Sequence, residues 1–115
     1  MATTQQIRDT AAEMLGIVGE GETLPSYETA DLDQAYLEVF AELQGLDLAA
    51  WSLVDDIPNR FAKPVSMLVA ESRAVKYQVP QERYQRIKFE SQEAMHRIRE
   101  LQAPVKVAIT RMEYF

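Results

Sequence analysis

Cysteine is absent from this 115-residue chain, and histidine and tryptophan each occur once. Without cysteine the chain has neither a disulfide framework nor a thiolate metal site. With His96 as the only histidine, no histidine pair is available to bind a metal ion. No run of about eighteen apolar residues occurs, so we predict no membrane-spanning segment. The first residues lack the basic and apolar regions of a secretory signal, and we therefore expect a cytoplasmic product.

Catalytic motifs are also missing. The Gly19-Glu20-Gly21 stretch lacks the Gly-Lys-Ser/Thr ending of a phosphate loop, and its glutamates would repel phosphate. Glu93 and Glu100 lie one turn from His96, a spacing that favours a solvated ion pair over a metal site. No Ser/His/Asp set stands out either. We therefore predict no catalytic residue, no cofactor and no metal, and expect that the protein is not an enzyme.

Basic residues are scarce in the first half of the chain. Residues 1–59 contain twelve acidic residues and one basic residue, Arg8, whereas residues 60–115 contain six acidic and eleven basic residues. Such asymmetry suggests an interaction role, in which the acidic and basic surfaces of neighbouring subunits meet head to tail in a ring. The alternative is that both halves fold together and neutralise each other within one molecule. The sequence leaves both interpretations open.

Apolar periodicity predicts two long helices between Ile57 and Leu101, separated by a turn at Val79-Pro80. We expect the first of them to be capped by Asp55 and Asp56 and to run to about Gln78, with a kink or a break at Pro64. The second should run from Pro80 to about Gln102. The apolar stripe of the first comprises Ile57, Phe61, Val65, Leu68, Val69 and Val75, and that of the second Tyr84, Ile87, Ala94, Ile98 and Leu101 with Ser91 among them.

Two further helices are predicted before this pair. The first is capped by Thr3 or Thr4 and ends near Leu15, where Gly16 stops it. The second runs from about Ala30 to Gln44, capped by Thr29 or Asp31, and Gly45 is its natural stop. Its buried stripe comprises Leu32, Tyr36, Val39, Phe40 and Leu43. Trp51 follows in an apolar connector, and we expect it to be a core anchor between the second and third helices.

The C-terminal segment has a different period. After Pro104, which we expect to end the helices, apolar and other residues alternate over 105–110, a pattern typical of a strand. A lone strand cannot satisfy its own backbone groups, so it docks either within the molecule or on an external partner. We favour an external partner, because no other strand is predicted in the chain. The fold is thus predicted to be all-α, a bundle of about four helices over residues 1–104 with an extended C-terminal arm or strand over 105–115. The arm residues predicted to bind a partner are Val105, Val107, Ile109, Met112, Tyr114 and Phe115.

The surface of the fourth helix offers two features. Phe89 lies off the apolar stripe, so it either packs locally or contacts another subunit. Arg83, Arg86, Arg97 and Arg99 form a face that is either solvated or able to contact phosphate, but no interleaved aromatic residues support base recognition. The predicted subunit interface comprises Glu38, Glu42, Arg73, Lys76, Arg83, Arg86 and Phe89.

Three stretches carry a resemblance to a known family. They are Ala11-Ala-Glu-Met-Leu-Gly-Ile-Val-Gly-Glu20, the acidic amphipathic segment Asp31 to Leu43 followed by Trp51, and Ile57-Pro58 with Met67-Leu-Val-Ala-Glu-Ser-Arg-Ala-Val-Lys-Tyr77. Over about residues 7–79 the chain resembles the head–tail adaptor, or connector, proteins of tailed bacteriophages. The resemblance is one of residue classes and not of a signature motif, and the C-terminal segment fits it in kind only.

The resemblance implies a small α-helical bundle whose copies, commonly twelve, form a ring beneath the portal protein. Such a ring extends the DNA channel without sequence-specific DNA binding, and receives the tail or a head-completion protein. We therefore expect a structural virion protein, located at the head–tail interface and made in the cytoplasm of the bacterial host. The alternatives are a soluble helical bacterial regulator or protein-interaction module and a nucleic-acid-binding repressor, against which the acidic balance and the lack of a clear helix-turn-helix argue.

Overall fold

The computed structural model describes residues 1–18, 24–49, 51–53 and 56–114, with side chains as far as Leu101. In these ranges the chain forms four helices: α1 (Thr4–Leu15), α2 (Ser26–Gly45), α3 (Asn59–Arg73) and α4 (Gln81–Tyr114). Their only β-type pairing is an isolated antiparallel bridge between Ala2 and Ile57. The prediction of an all-α bundle of about four helices is confirmed. The glycine stretch from Gly19 to Gly21 lies outside the described residues.

The first helix follows its sequence signals closely. The Thr3 hydroxyl accepts a hydrogen bond from the Gln6 amide at 3.2 Å, and the Gln6 side chain accepts one from the Thr3 amide at 2.9 Å. This capping box satisfies two backbone donors at the helix start. Gly16 closes the helix in the left-handed conformation with φ of 76°, which glycine adopts at little steric cost. Both predicted ends of α1 are therefore confirmed.

The second helix begins earlier than predicted. Its cap is Pro25, and the Thr29 hydroxyl instead donates to the Pro25 carbonyl at 3.0 Å from inside the helix. Capping by Thr29 or Asp31 is therefore wrong, because four more residues continue the helix backwards. Gly45 is likewise helical, and the left-handed residue that follows the helix is Asp47, with φ of 61°.

The third helix is shorter than predicted at its C-terminal end. It ends at Arg73 and passes into a turn over residues 74–78, which Gln78 closes with φ of 53°. As a result Val75 leaves the apolar stripe and is exposed, contrary to the prediction. Pro58 occupies the cap position, so the predicted capping by Asp56 is wrong; Asp55 lies outside the described residues. Pro64 lies inside this single helix, where it removes one backbone donor.

Helix α3 is the centre of the bundle, because it packs against each of the other three helices. The predicted stripes of α2 and α4 are confirmed: Leu32 and Leu43 are fully buried, as is Ile98. Trp51 is buried between α2 and α3 as predicted, with its ring centroid 6.1 Å from that of Phe40 and 5.1 Å from that of Phe61. The indole N–H of Trp51 donates to the Tyr36 hydroxyl at 3.0 Å, so the polar atom of this large side chain is satisfied.

Helix α4 is the longest element and extends well beyond its predicted end. Its 34 residues span about 51 Å, close to the 55 Å long axis of the molecule. Helix α3, with 15 residues, spans only about 22 Å. One helix of that length cannot cover α4 along its whole axis, so α4 is longer than the helix on which it packs.

The predicted strand over residues 105–110 and the predicted helix end at Pro104 are both wrong, since the backbone there belongs to α4. A helix pairs its own N–H and C=O groups, whereas a lone strand would leave them unpaired. Pro104 removes a single donor and does not end the helix. The short period-two pattern fits either state, and the absence of a second strand from the described residues favours the helix. The side chains of Val105, Val107, Ile109, Met112 and Tyr114, and all of Phe115, lie outside the described part.

Candidate interaction surface

Four charged or polar side chains meet around Asp31, near the start of α2. The Lys76 Nζ donates to Oδ1 of Asp31 at 2.7 Å, and the Tyr77 hydroxyl donates to Oδ2 at 2.7 Å. Nε of Arg73 lies 3.4 Å from Oδ1, a charge contact without good hydrogen-bond alignment. The guanidinium of Arg73 also donates to Glu38 at 2.7 Å. We call these five residues, Asp31, Glu38, Arg73, Lys76 and Tyr77, the Asp31 cluster.

Electrostatics in the Asp31 cluster favour the ionised carboxylate. Burial acts to raise the pKa of Asp31, but the hydrogen bonds from Lys76 and Tyr77 and the nearby cations outweigh it, so the pKa lies below its ordinary value. Burial and the hydrogen bond to Asp31 raise the pKa of Tyr77. The hydrogen bond to Glu38 raises the pKa of Arg73. At neutral pH the Asp31 carboxylate is therefore ionised, Arg73 and Lys76 are cations and the Tyr77 phenol is neutral.

This arrangement places part of the predicted subunit interface inside one molecule. Glu38, Arg73 and Lys76 pair within a single chain, so at these positions the acidic and basic halves neutralise each other. Arg8 on α1 also pairs within the chain, with its guanidinium 3.3 Å from Asp33, but both residues belong to the acidic half. Of the two interpretations that the charge asymmetry left open, intramolecular pairing therefore describes these residues.

Arg83 also has an intramolecular neighbour. Its guanidinium lies directly against Gly16, so that a Cβ at this glycine would stand 2.9 Å from Cζ of Arg83 and closer still to Nη1. Gly16 ends α1, and a cation is favoured near the negative C-terminal end of a helix. Arg83 therefore connects the start of α4 with the end of α1, while its side chain stays exposed and its predicted contact with another subunit stays a prediction.

Phe89 and Arg86 remain available on the outer face of α4. The side chain of Phe89 is 62% exposed, whereas Ile87 and Ser91, two residues away on either side, are buried. Two residues correspond to about 200° around a helix, so Phe89 points away from the bundle. Arg86 precedes it by one turn and has no ion-pair partner among the described side chains. The predicted local packing of Phe89 under a loop is not observed there.

Grooves border α4 on both sides of its buried stripe. The α2–α4 groove has a volume of about 250 Å³ and runs over α3 between the two outer helices. Its lining comprises Val39, Glu42, Leu43, Leu68, Glu71, Ser72, Lys88, Ser91, Gln92 and Met95. The α3–α4 groove, of about 550 Å³, is lined by Arg60, Lys63, Pro64, Met67, Glu90, Glu93, Ala94 and Arg97. Glu42, the remaining predicted interface residue, thus borders the α2–α4 groove.

His96 lies on the exposed side of α4 and pairs with Glu100, with 2.8 Å between Nε2 and the carboxylate. Arg97 lies 3.7 Å from the same carboxylate group. Among the residues that the structure describes, no group of three or more potential metal ligands comes together. No helix in the described part is long and apolar enough to cross a membrane.

Sequence reasoning missed the Asp31 cluster and the α2–α4 groove. Asp31 and Tyr77 are 46 residues apart, and no local pattern links them. A usable signal existed only for the groove, because the α4 residues that line it recur at steps of three and four beside the buried stripe.

Comparisons with known proteins assign no relative, since no protein-family model, curated protein or solved structure matches the chain.

Proposed function

We propose that this chain is a structural virion protein, a head-to-tail adaptor whose copies form a ring below the portal of a tailed bacteriophage. The observation that carries the proposal is the outer face of α4, a helix longer than the α3 helix on which it packs. This face presents exposed Phe89 beside Arg86, which has no ion-pair partner among the described side chains. An exposed aromatic flanked by charge is typical of contact surfaces between proteins. The resemblance of residues 7–79 to adaptor proteins supports the same conclusion.

In this proposal the bundle is a rigid subunit, and its function is to assemble with other copies and with the portal protein. The Asp31 cluster and the Trp51 contacts hold α2 and α3 together within each subunit, which leaves α4 to contact neighbours. The C-terminal half of α4 and residues up to Phe115 would reach the portal protein, and another face would receive the tail or a head-completion protein. Neither role requires a catalytic residue, a cofactor or a metal.

The negative net charge is compatible with a channel through which DNA passes without being bound. The chain has a formal net charge of −6, and a ring of such subunits would repel phosphate more than it attracts it. Packaged DNA would therefore pass with no sequence-specific contact. The subunit would be made in the host cytoplasm and would end at the head–tail interface of the virion.

Electron microscopy of the purified chain, with and without the portal protein of the same genome, tests this proposal. We expect closed rings with cyclic symmetry, commonly twelvefold, that stack coaxially on the portal. Mass photometry of the same samples would give the subunit number. A chain that stays monomeric at all concentrations and binds no portal ring would refute the proposal and favour the alternative of a soluble helical regulator or interaction module.

A further inference from the structure

We infer that neighbouring subunits join through a knob-in-groove contact, in which Phe89 of one copy enters the α2–α4 groove of a second copy. This inference rests on the proposed function, since it specifies how the ring closes. The occupant of the groove is thus a second copy of this chain, and its charged contacts use residues that form no ion pair with the described side chains.

The knob is well defined on the outer face of α4. Phe89 is 62% exposed on the side opposite the buried residues Ile87 and Ser91. Arg86 lies one turn before it and Glu93 one turn after it. The phenyl ring is therefore a single apolar projection with a cation at one end and an anion at the other.

The groove matches this knob in size and in polarity. Its floor is apolar and its volume is about 250 Å³. A cavity of about 150 Å³ lined by apolar side chains holds benzene, so a phenyl ring fits here. The rim contains two carboxylates, Glu42 and Glu71, and one ammonium group, Lys88. The apolar floor comprises Val39, Leu43, Leu68 and Met95.

Charge selects this groove over the α3–α4 groove. Arg86 would face Glu42 or Glu71 in the α2–α4 groove, and among the described side chains none of these three has an ion pair that the contact would break. The α3–α4 groove is lined by three cations, Arg60, Lys63 and Arg97, and by two carboxylates, Glu90 and Glu93. Its net charge is therefore positive and disfavours Arg86, whereas the net charge of the α2–α4 groove is negative. Pairs of this kind set the orientation and rate of association more than its affinity.

The positions of knob and groove predict how the copies assemble. Lys88 lines the groove and Phe89 is the next residue, so their directions differ by about 100° around α4. The two patches therefore lie on different faces of one subunit. When a single such contact joins each pair of copies, it is head to tail and continues from copy to copy, so it gives a ring when the rotation closes. A symmetric dimer would require both copies to insert Phe89 into each other at once.

The first test compares the self-association of the full chain with that of a Phe89→Ala variant by analytical ultracentrifugation. An aromatic anchor at the centre of a contact carries much of the binding energy, so we expect the dissociation constant to rise by at least about 30-fold. Tyr27→Ala is the matched control, because Tyr27 is 66% exposed and lies outside the proposed contact. The helical circular dichroism of all three proteins should be unchanged.

The second test is complementation between two blocked variants. Phe89→Ala lacks the knob and keeps the groove, whereas Ser72→Trp fills the groove from an exposed position and keeps the knob. Each variant alone should be monomeric. Mixed together, they should form one-to-one pairs that do not grow, because only the knob of the Ser72→Trp variant can enter the groove of the Phe89→Ala variant.

A third test reverses the charges at the edge of the contact. Arg86→Glu should weaken association by about 3–10-fold, and adding Glu71→Arg should restore it.

The outcomes separate the inference from the proposed function. Normal rings of the folded Phe89→Ala variant, or failure of the two blocked variants to pair, would overturn the knob-in-groove contact and leave the adaptor role standing. A wild-type chain that forms no oligomer, alone or on a portal ring, would overturn both.

Discussion

The Tyr77 hydroxyl and the Asp31 carboxylate, 46 residues apart in the sequence, form a hydrogen bond of 2.7 Å. Lys76 occupies the other carboxylate oxygen at the same distance. Because Asp31 belongs to α2 and both donors belong to the turn that precedes α4, these bonds fix where that turn lies. Asp31 therefore helps to set the point from which the chain enters α4.

Removing the phenol should lower stability measurably. Tyr77→Phe deletes a hydrogen bond to a charged group in a partly exposed cluster, and we expect it to lower the free energy of unfolding by about 1–2 kcal/mol. Urea denaturation followed by circular dichroism measures this change. Tyr84→Phe is the control, because the Tyr84 hydroxyl makes no hydrogen bond to any described residue. Equal effects of the two variants would contradict the assigned role of Tyr77.

The Asp31 cluster also predicts how stability depends on pH. Since the pKa of Asp31 is below its ordinary value in the folded state, folding favours the ionised form. The stability it contributes is fully present above the pKa of an unfolded aspartate, about 3.9, and is lost as the pH falls through the lower pKa of the folded state. Wild type should therefore be more stable than Asp31→Asn at pH 7, and the difference should shrink below about pH 4.

Thermal unfolding at several pH values would measure this difference. Glu38→Gln is a suitable control, because the Glu38 side chain is 53% exposed and forms its ion pair with Arg73. We expect its effect to be smaller at every pH, as is usual for an exposed ion pair. A difference between wild type and Asp31→Asn that stays constant from pH 7 to below pH 3 would show that the charge of Asp31 contributes nothing.

Two glycines provide a matched pair for the third prediction. Gly16 has φ of 76°, and a side chain there would also displace Arg83, so we expect Gly16→Ala to destabilise the protein by about 1 kcal/mol. Gly45 is helical and has open space around the position of a Cβ, so Gly45→Ala should stabilise it by about 0.5–1 kcal/mol. Melting temperatures should thus shift in opposite directions; shifts of the same sign would contradict the argument.

The parts of the fold that could be predicted are those that local patterns determine. The stripe from Tyr84 to Leu101 recurs every three or four residues, and this spacing is sufficient to define a helical face. The Thr3 cap and the Gly16 stop are equally local. The alternation after Pro104 is also local, but it is ambiguous. Six residues with a period of two form a stable strand only when a second strand is present to pair with them. Knowing that the described part of the chain supplies no second strand requires the whole fold.

The sequence predicted several residues of the candidate site, but it did not predict how they pair in the folded chain. Phe89 stood out because it lies off the apolar stripe, and exposure of this residue followed directly. Pairing of Arg73 with Glu38 depends on how α2 and α3 pack, which charge counts alone do not determine. Helix ends such as Arg73 were similarly hard to place, since the left-handed residue that closes the turn is Gln78 and not a glycine.

The fourth prediction concerns the aromatic contacts of Trp51. Trp51→Ala should lower the free energy of unfolding by about 3–5 kcal/mol, because the ring is buried against Phe40 and Phe61. Tyr36→Phe should cost about 1–3 kcal/mol, since it leaves the indole N–H buried without its acceptor. The tryptophan fluorescence of the folded protein should be shifted to the blue. An emission maximum typical of fully hydrated indole would contradict this burial.

The last prediction is that residues 105–115 are needed for assembly and not for folding. Every described core side chain belongs to residue 98 or an earlier one, and α4 is already anchored by Ile87, Ala94 and Ile98. A chain that ends at Pro104 should therefore keep its melting temperature and its urea midpoint, and should lose helical signal only in proportion to the residues removed. On the proposed function it should fail to bind the portal ring, because the partner-binding part of α4 is missing.

A variant in which only Tyr114 and Phe115 are replaced by serine controls for the loss of helix length, and should weaken portal binding while retaining the full helical signal. Unfolding of the truncated chain would show instead that the end of α4 belongs to the core of the bundle, and portal binding at wild-type strength would remove this segment from the proposed contact.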